Sequence, residues 1–116
     1  MIISGEIVIG ADSSEFENAV VFLYLEDVSL VDASASRVST KKLTNIQHSL
    51  GREDRLPFEV AVELPPDSHA TYILRAHVSL HGNTDVEVND LITVEHIAVD
   101  LEQLSNRIEV RVRPVG

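Results

Sequence analysis

The sequence predicts an all-β protein: an antiparallel β-sandwich of about seven strands, with an immunoglobulin-like or transthyretin-like arrangement. Residues 58–64 and 72–80 carry apolar side chains at almost every second position. Because alternate side chains of an extended chain point to opposite faces, each segment is expected to be a strand with one buried face. Turn-forming residues separate the apolar segments at short intervals, which is typical of sandwiches. The length of 116 residues suits one domain, and we assign residues 1–116 to a single sandwich domain.

The N-terminal half is expected to contain three strands. The first covers residues 2–9, and the second covers residues 19–28. The second strand is apolar on both faces and is therefore expected to be covered on both. Its two rows are Val20, Phe22 and Tyr24 on one face and Val21, Leu23 and Leu25 on the other. The third strand, residues 38–48, is polar and is expected at a sheet edge, where Lys41 and Lys42 discourage pairing with other chains.

The C-terminal half is expected to contain the remaining strands. A turn at residues 51–57 leads into the two alternating strands, which a proline turn at residues 65–67 connects. A further strand region at residues 86–99 is expected to break near Asn89 and Asp90, where turn-forming residues interrupt it. The last strand is expected at residues 107–113.

Charge and composition exclude several classes of protein. The net charge is -10, so the chain would repel a phosphate backbone and nucleic-acid binding is not expected. Positive charge is concentrated in residues 37–55, which hold five of the nine Lys and Arg residues. The absence of cysteine excludes a disulfide framework, a thiolate nucleophile and a sulfur-based zinc site.

The histidines and carboxylates do not form a recognisable catalytic or metal-binding pattern. His77 and His81 share one face of a strand but lie about 13 Å apart along it, which is too far for one metal ion. The consecutive residues 67–69 contain the groups of a hydrolase triad, yet neighbours in sequence cannot adopt its relay geometry. Glu26 and Asp27 are adjacent and would point to opposite faces of their strand. We therefore predict no catalytic residue, no metal, no cofactor and no enzymatic activity.

The N-terminal residues and the length of the apolar segments lead to an expectation about cellular location. Residues 1–6 contain no basic region followed by an apolar stretch, and no segment has the length of a membrane span. The sequence as given is thus expected to be cytoplasmic and not inserted in a membrane. If it is a processed or truncated form, a secreted or periplasmic location is expected instead.

Several short motifs resemble the YbaY/YscW family of small bacterial β-sandwich proteins. The resemblance rests on the run Leu-Glu-Asp-Val-Ser at residues 25–29, on Pro57-Phe58 at the start of a strand, and on Tyr72 after a proline turn. The corresponding positions are Leu25, Glu26, Asp27, Val28, Ser29, Pro57, Phe58 and Tyr72. Members of this family are usually secreted lipoproteins, and the YscW branch includes type III secretion pilotins, which help an outer-membrane secretin ring assemble. The sequence lacks the signal peptide and the lipid-bearing cysteine of that family. The resemblance implies the fold and a non-catalytic binding role, such as that of an assembly or chaperone-type accessory protein.

Two functions follow as hypotheses. The first is a protein-interaction module that binds a protein partner or a second copy of itself. Its candidate surface consists of Val20, Phe22, Tyr24, Lys41 and Lys42, unless the opposite row of the second strand is the exposed one. The alternative is a transthyretin-like small-ligand binder or enzyme that uses His77, Arg75 and His96 on one sheet face.

Overall fold

The computed structural model describes residues 2–28, 36–61, 72–93, 97–99 and 108–115. These residues form eight strands, and none of them lies in a helix. The strands are β1 (Ile2–Ile9), β2 (Phe16–Asp27), β3 (Ser36–His48), β4 (Asp54–Ala61), β5 (Tyr72–Ser79), β6 (Leu91–Thr93), β7 (Ile97–Val99) and β8 (Ile108–Pro114). The predicted all-β class is confirmed.

Hydrogen bonds join the strands into one sheet in the order β3-β2-β5-β6-β8-β1-β4, with β7 beside β5. The two end strands approach each other, because the Ser39 hydroxyl of β3 donates a hydrogen bond to the Ala61 carbonyl oxygen of β4 at 3.0 Å. The sheet is therefore nearly closed into a barrel. All eight strands belong to one continuous sheet. A division into two packed sheets, as in an immunoglobulin-like or transthyretin-like sandwich, stays a prediction.

One pairing corrects the expectation of a purely antiparallel sheet. β1 pairs with β8 in parallel, with Gly5 opposite Ile108 and Ile9 opposite Val112, whereas the other pairings are antiparallel. Parallel neighbours need a long connection, and here it is the entire chain between the first and last strands. Alternation of apolar residues identifies the buried face of a strand but not the direction of its neighbour.

The core lies on the inner face of the sheet. In β2 the inner row consists of Ala19, Val21, Leu23 and Leu25, which are fully buried. β1, β4, β5 and β8 add further aliphatic side chains and Phe58 to the same cluster. Fully burying one such side chain stabilises the fold by roughly 1.5–3 kcal/mol, so this cluster is the main source of stability.

Gly5 permits the close approach of β1 and β8. A methyl group at this position would lie 2.0 Å from the carbonyl oxygen of Ile108, which belongs to the backbone and cannot rotate away. Glycine inside a strand often marks such an approach of another backbone.

β4 begins earlier than expected. The sequence predicts a turn at residues 51–57 and a strand from residue 58, but β4 starts at Asp54 because residues 54–57 pair with β1. Pro57 is compatible with this pairing, since β4 is an end strand and proline is tolerated there. The predicted residues 62–64 lie outside the described part of the chain.

The expected strand at residues 86–99 is also corrected. Residues 86–90 contain a turn instead, so the predicted break near Asn89 and Asp90 is confirmed, and the described residues after it form the short β6 and β7. Asn89 has a φ of 76°, in the left-handed region, and the Asp90 amide donates to the Glu87 carbonyl oxygen at 3.1 Å. A turn therefore replaces the start of the strand.

Candidate functional site

The structure decides which row of β2 faces outward. Val20, Phe22 and Tyr24 lie on the outer face, and Val21, Leu23 and Leu25 lie in the core. We call the outer row the β2 face. Phe22 and Tyr24 are only 7% and 6% exposed, so they offer little of the surface that the interaction hypothesis assigns to them.

Side chains of the neighbouring strands help to cover Phe22. Its ring stacks on Tyr24 with a centroid distance of 6.4 Å and packs against His77 of β5 at 5.9 Å. The ammonium group of Lys42, on β3, lies 6.0 Å from the ring centroid, at the outer limit of a cation–π contact. The sequence-predicted residues Phe22, Tyr24 and Lys42 are therefore brought together, but as a packed layer.

Lys41 occupies a different position. It lies opposite Leu23, whereas Lys42 lies opposite Phe22, so the two lysines project to different faces of β3. Both are exposed, and β3 is an end of the sheet as expected. An inward-pointing charge on an end strand discourages pairing with other chains.

His77 forms a buried pair with Asp90. Nε2 of His77 donates to Oδ2 of Asp90 at 2.8 Å, and the amides of Leu80 and Glu87 each donate to a carboxylate oxygen of Asp90 at 3.0 Å. Burial alone would raise the pKa of Asp90, but the hydrogen bonds from His77, Leu80 and Glu87 outweigh it and hold the pKa below its ordinary value. Asp90 thereby ties the loop at residues 80–90 to β5.

The other polar groups of this sheet face are also engaged. Nε of Arg75 lies 3.1 Å from a carboxylate oxygen of Glu26, which is buried. His81 is exposed beyond the end of β5, and His96 lies outside the described residues. The geometry thus gives His77 and Arg75 structural partners on the same face of β5, and the ligand site that they would share with His96 stays a prediction.

His48 forms a second buried pair, which sequence analysis missed. Nδ1 lies 2.6 Å from Oδ2 of Asp54, and Nε2 lies 3.2 Å from the carbonyl oxygen of Ser13. Both neighbours are acceptors, so a hydrogen on either ring nitrogen finds a partner within the fold. The pair fastens the connection between β3 and β4 to the loop after β1. The signal in the sequence is that His48 and Asp54 flank a turn that contains Gly51.

The loops at residues 10–15, 49–53 and 80–90 lie at one end of the barrel, which we call the loop end. A cleft of about 320 Å³ opens here, with Phe16, Leu80, Leu91 and Pro114 among its lining residues. A second cleft, of about 480 Å³, shares Glu15 and Phe16 with the first and is lined as well by Glu17, Gln47, His48 and Ser49.

Exposed apolar side chains lie in the same loops as residues that line these clefts. Val88, Leu50 and Val86 are 70%, 64% and 52% exposed and belong to the loops of the loop end. Val88 precedes Asn89, which lines the first cleft, and Leu50 follows Ser49, which lines the second. This surface was not predicted from the sequence, because the valines at residues 86 and 88 have the spacing of a strand. The signal was the presence of valines in a stretch rich in turn-forming residues.

The remaining predicted positions are distributed over the sheet. Leu25 and Phe58 are core residues, Pro57 is exposed on β4, and Glu26 is buried on the outer side of β2. Asp27, Val28 and Tyr72 are half-buried near one another, since Asp27 pairs with Tyr72. Ser29 and the predicted loop residues 67–69 lie outside the described part of the chain.

Within the described ranges, no group of three His, Asp or Glu side chains is placed to hold a metal ion. The same ranges contain no helix of the length and apolar character that a membrane span requires.

Comparison with known proteins reveals a likeness of fold. No protein-family model and no curated protein sequence matches the chain. Among solved structures, an alternative pilotin from the type II secretion system of Vibrio cholerae superposes with a TM-score of 0.70 and 24% sequence identity. The alignment covers 97% of this chain and 96% of the pilotin. The chain therefore has a pilotin-like all-β fold along nearly its whole length.

Proposed function

We propose that this protein is a pilotin-like accessory protein of a secretion system, which acts by binding another protein without catalysis. The observation that carries the proposal is the fold shared with the Vibrio cholerae pilotin over 97% of the chain. The sequence resemblance of residues 25–29 to the YbaY/YscW family supports the same role independently of the fold. Membership of that family and a periplasmic place of action belong to the proposal.

The environment of the histidines supports binding over catalysis. His77 and His48 are 4% and 3% exposed, and the nitrogens that contact Asp90, Asp54 and Ser13 are used in hydrogen bonds within the fold. A general base must reach a proton of its substrate, and these imidazoles face the protein instead. The hydrogen bonds of both imidazoles connect loops to strands.

Val20, Lys41 and Lys42 are the members of the predicted surface that offer contacts to a partner. Val20 is half-buried on the β2 face, and the two lysines are exposed on β3. The lysines would attract an acidic partner segment, and electrostatic attraction of this kind increases the rate of encounter.

The test is whether the protein binds the secretin of its host. Tagged protein is added to mildly cross-linked host membranes, and the captured secretin is quantified by mass spectrometry. We expect capture by the wild-type protein, with reduced capture by the double variant Lys41→Glu and Lys42→Glu. A matched control reverses the exposed cations Arg111 and Arg113 of β8 to Glu.

Two outcomes would count against parts of this proposal. If folded wild-type protein captures no secretin, the pilotin-like role is wrong. If the control variant loses capture as strongly as the lysine variant, overall charge explains the effect, and the β3 lysines are not the contact.

A further inference from the structure

We propose that the loop end binds a short partner segment in which an apolar side chain is flanked by Lys or Arg. The inference rests on the proposed function, since it assigns the chemistry of a partner. The loop end consists of residues other than those of the β2 face and the β3 lysines, so the proposed contact with the partner segment is a separate one.

The first cleft has the size and lining for an apolar side chain. Phe16, Leu80, Leu91 and Pro114 contribute its apolar lining, and Leu91 is buried. A volume of about 320 Å³ lies at the lower end of the range of roughly 300–1,000 Å³ that is typical of ligand pockets. It suits one or two inserted side chains better than a large cofactor.

The apolar surface continues outside the cleft. Val88, Val86 and Leu50 expose more than half of their surface in the surrounding loops. Apolar side chains at loop tips are unfavourable in water, and clusters of them mark interaction sites. A partner that inserts one side chain in the cleft would cover these tips at the same time.

The charge of the loop end defines the flanking residues of the partner. The three loops of the loop end contain six acidic residues, of which Asp90 is buried, and one cation, Arg52. Of the side chains that line the two clefts, those of Glu15 and Glu17 are acidic. This rim attracts Lys and Arg, and it repels both nucleic acid and anionic membrane surfaces. The charge therefore favours a basic protein segment over a lipid surface.

The loops are held in place before any partner binds. The Gly51 amide donates to the Ala11 carbonyl oxygen at 2.8 Å, and the Val115 amide donates to the Asp90 carbonyl oxygen at 2.8 Å. The His48 and His77 pairs add side-chain contacts to the same loops. Preorganised loops lose little entropy on binding, which favours a short segment as ligand.

The test uses three synthetic peptides of about twelve residues. The first has Leu and Phe flanked by Lys and Arg, the second keeps Leu and Phe but has Glu flanks, and the third keeps the basic flanks but has Ser in place of Leu and Phe. Binding is followed by the amide NMR signals of the isotope-labelled full chain. We expect the first peptide alone to shift the signals of residues 14–17 and 89–91, with a Kd below about 1 mM. Equal binding of all three peptides, or no shift with any of them, would overturn the proposal.

Two pairs of variants locate the site. Glu15→Lys should weaken binding of the first peptide about fivefold at low salt, whereas Glu59→Lys, an equal charge change on exposed β4, should leave it nearly unchanged. Val88→Ser should weaken it more than Ile2→Ser, since Ile2 is similarly exposed at the start of β1. Equal losses within either pair would contradict a site at the loop end.

Secretin capture separates this inference from the proposed function. If Glu15→Lys captures secretin as well as the wild type does, and the peptide also fails to bind, the pilotin-like role stands and the loop-end site is wrong. If the peptide binds as described but wild-type protein captures no secretin, the site stands and its partner is a different protein.

Discussion

The two faces of β2 are almost equally buried but are covered in different ways. The inner row of Val21, Leu23 and Leu25 contacts other aliphatic side chains of the core. On the outer row, Phe22 contacts Tyr24, an imidazole and a lysine, and the row continues to the ion pair of Glu26 with Arg75. Burial by itself therefore does not tell an internal core from an outer layer of polar and aromatic groups.

This difference has an energetic consequence. Aliphatic packing is lost when a side chain is shortened, because the cavity that remains is only partly filled. On the outer face, stability depends more on hydrogen-bonded charges such as Asp90, whose loss leaves buried donors without an acceptor. The inner face should thus be sensitive to volume, and the outer face to protonation.

The largest effect is expected on the inner face. Leu23→Ala should lower the free energy of unfolding by about 4 kcal/mol, because the side chain is fully buried in the core. Val20→Ala, on the half-exposed part of the β2 face, should lower it by only about 1 kcal/mol. Urea denaturation measures both, and similar losses would mean that the two faces are equivalent.

A slightly smaller effect is expected at the buried carboxylate of the outer face. Asp90→Asn places an amide where two hydrogen-bond donors need an acceptor, so it should lower stability by about 3 kcal/mol at neutral pH.

The effect of Asp90 should also depend on pH. The pKa of Asp90 is lower in the folded than in the unfolded chain. The contribution of the Asp90 carboxylate to the free energy of unfolding is therefore complete above the unfolded pKa and decreases as the pH falls through the folded pKa. The gap between wild type and Asp90→Asn should therefore narrow in acid when unfolding is measured as a function of pH. A gap that is constant with pH would contradict this assignment.

A smaller effect is expected when side-chain volume is added on the inner face of β1. Gly5→Ala should lower stability by about 2 kcal/mol, since the new methyl group meets the backbone of Ile108. Gly51→Ala provides the control, because its φ of 86° is unfavourable for alanine but no atom lies within 4 Å of the new methyl group. It should lower stability by about 1 kcal/mol through the backbone alone. Thermal unfolding of both variants measures the difference, and equal losses would show that the β1–β8 contact is not tight.

The smallest effect is expected at the rim of the outer face. Lys42→Ala should lower stability by about 0.5 kcal/mol, because it removes the ammonium group near the Phe22 ring. Lys41→Ala, on the other face of the same strand, should change stability by less than this. A larger loss for Lys41 than for Lys42, measured by denaturation, would reverse the assignment of the two faces of β3.

The alternation of apolar residues was sufficient to predict much of the sheet. β1 has the predicted bounds, β5 ends one residue earlier than predicted, and the polar β3 lies at an end of the sheet as expected. The apolar character of both rows of β2 correctly predicted cover on both faces. These features are local, because the side chains of one strand show which of its faces avoid water.

The candidate sites depended on contacts that the sequence does not display. His48 meets Asp54 and Ser13 only because the β3–β4 connection and a separate loop converge, and His77 meets Asp90 only because the chain turns back after β5. The valines at residues 86 and 88 have the spacing of a strand, but the turn at Asn89 leaves them exposed.

By itself, the sequence determined the all-β class, the strands with clear alternation and the acidic character of the molecule, because these depend on side-chain order and composition. Only the tertiary structure decided that β1 and β8 are parallel, that Phe22 and Tyr24 form the outer row, and that an apolar cleft opens at the loop end. Each of these features depends on which distant segments come together. Periodicity within one strand specifies a face, but not the neighbour that covers it.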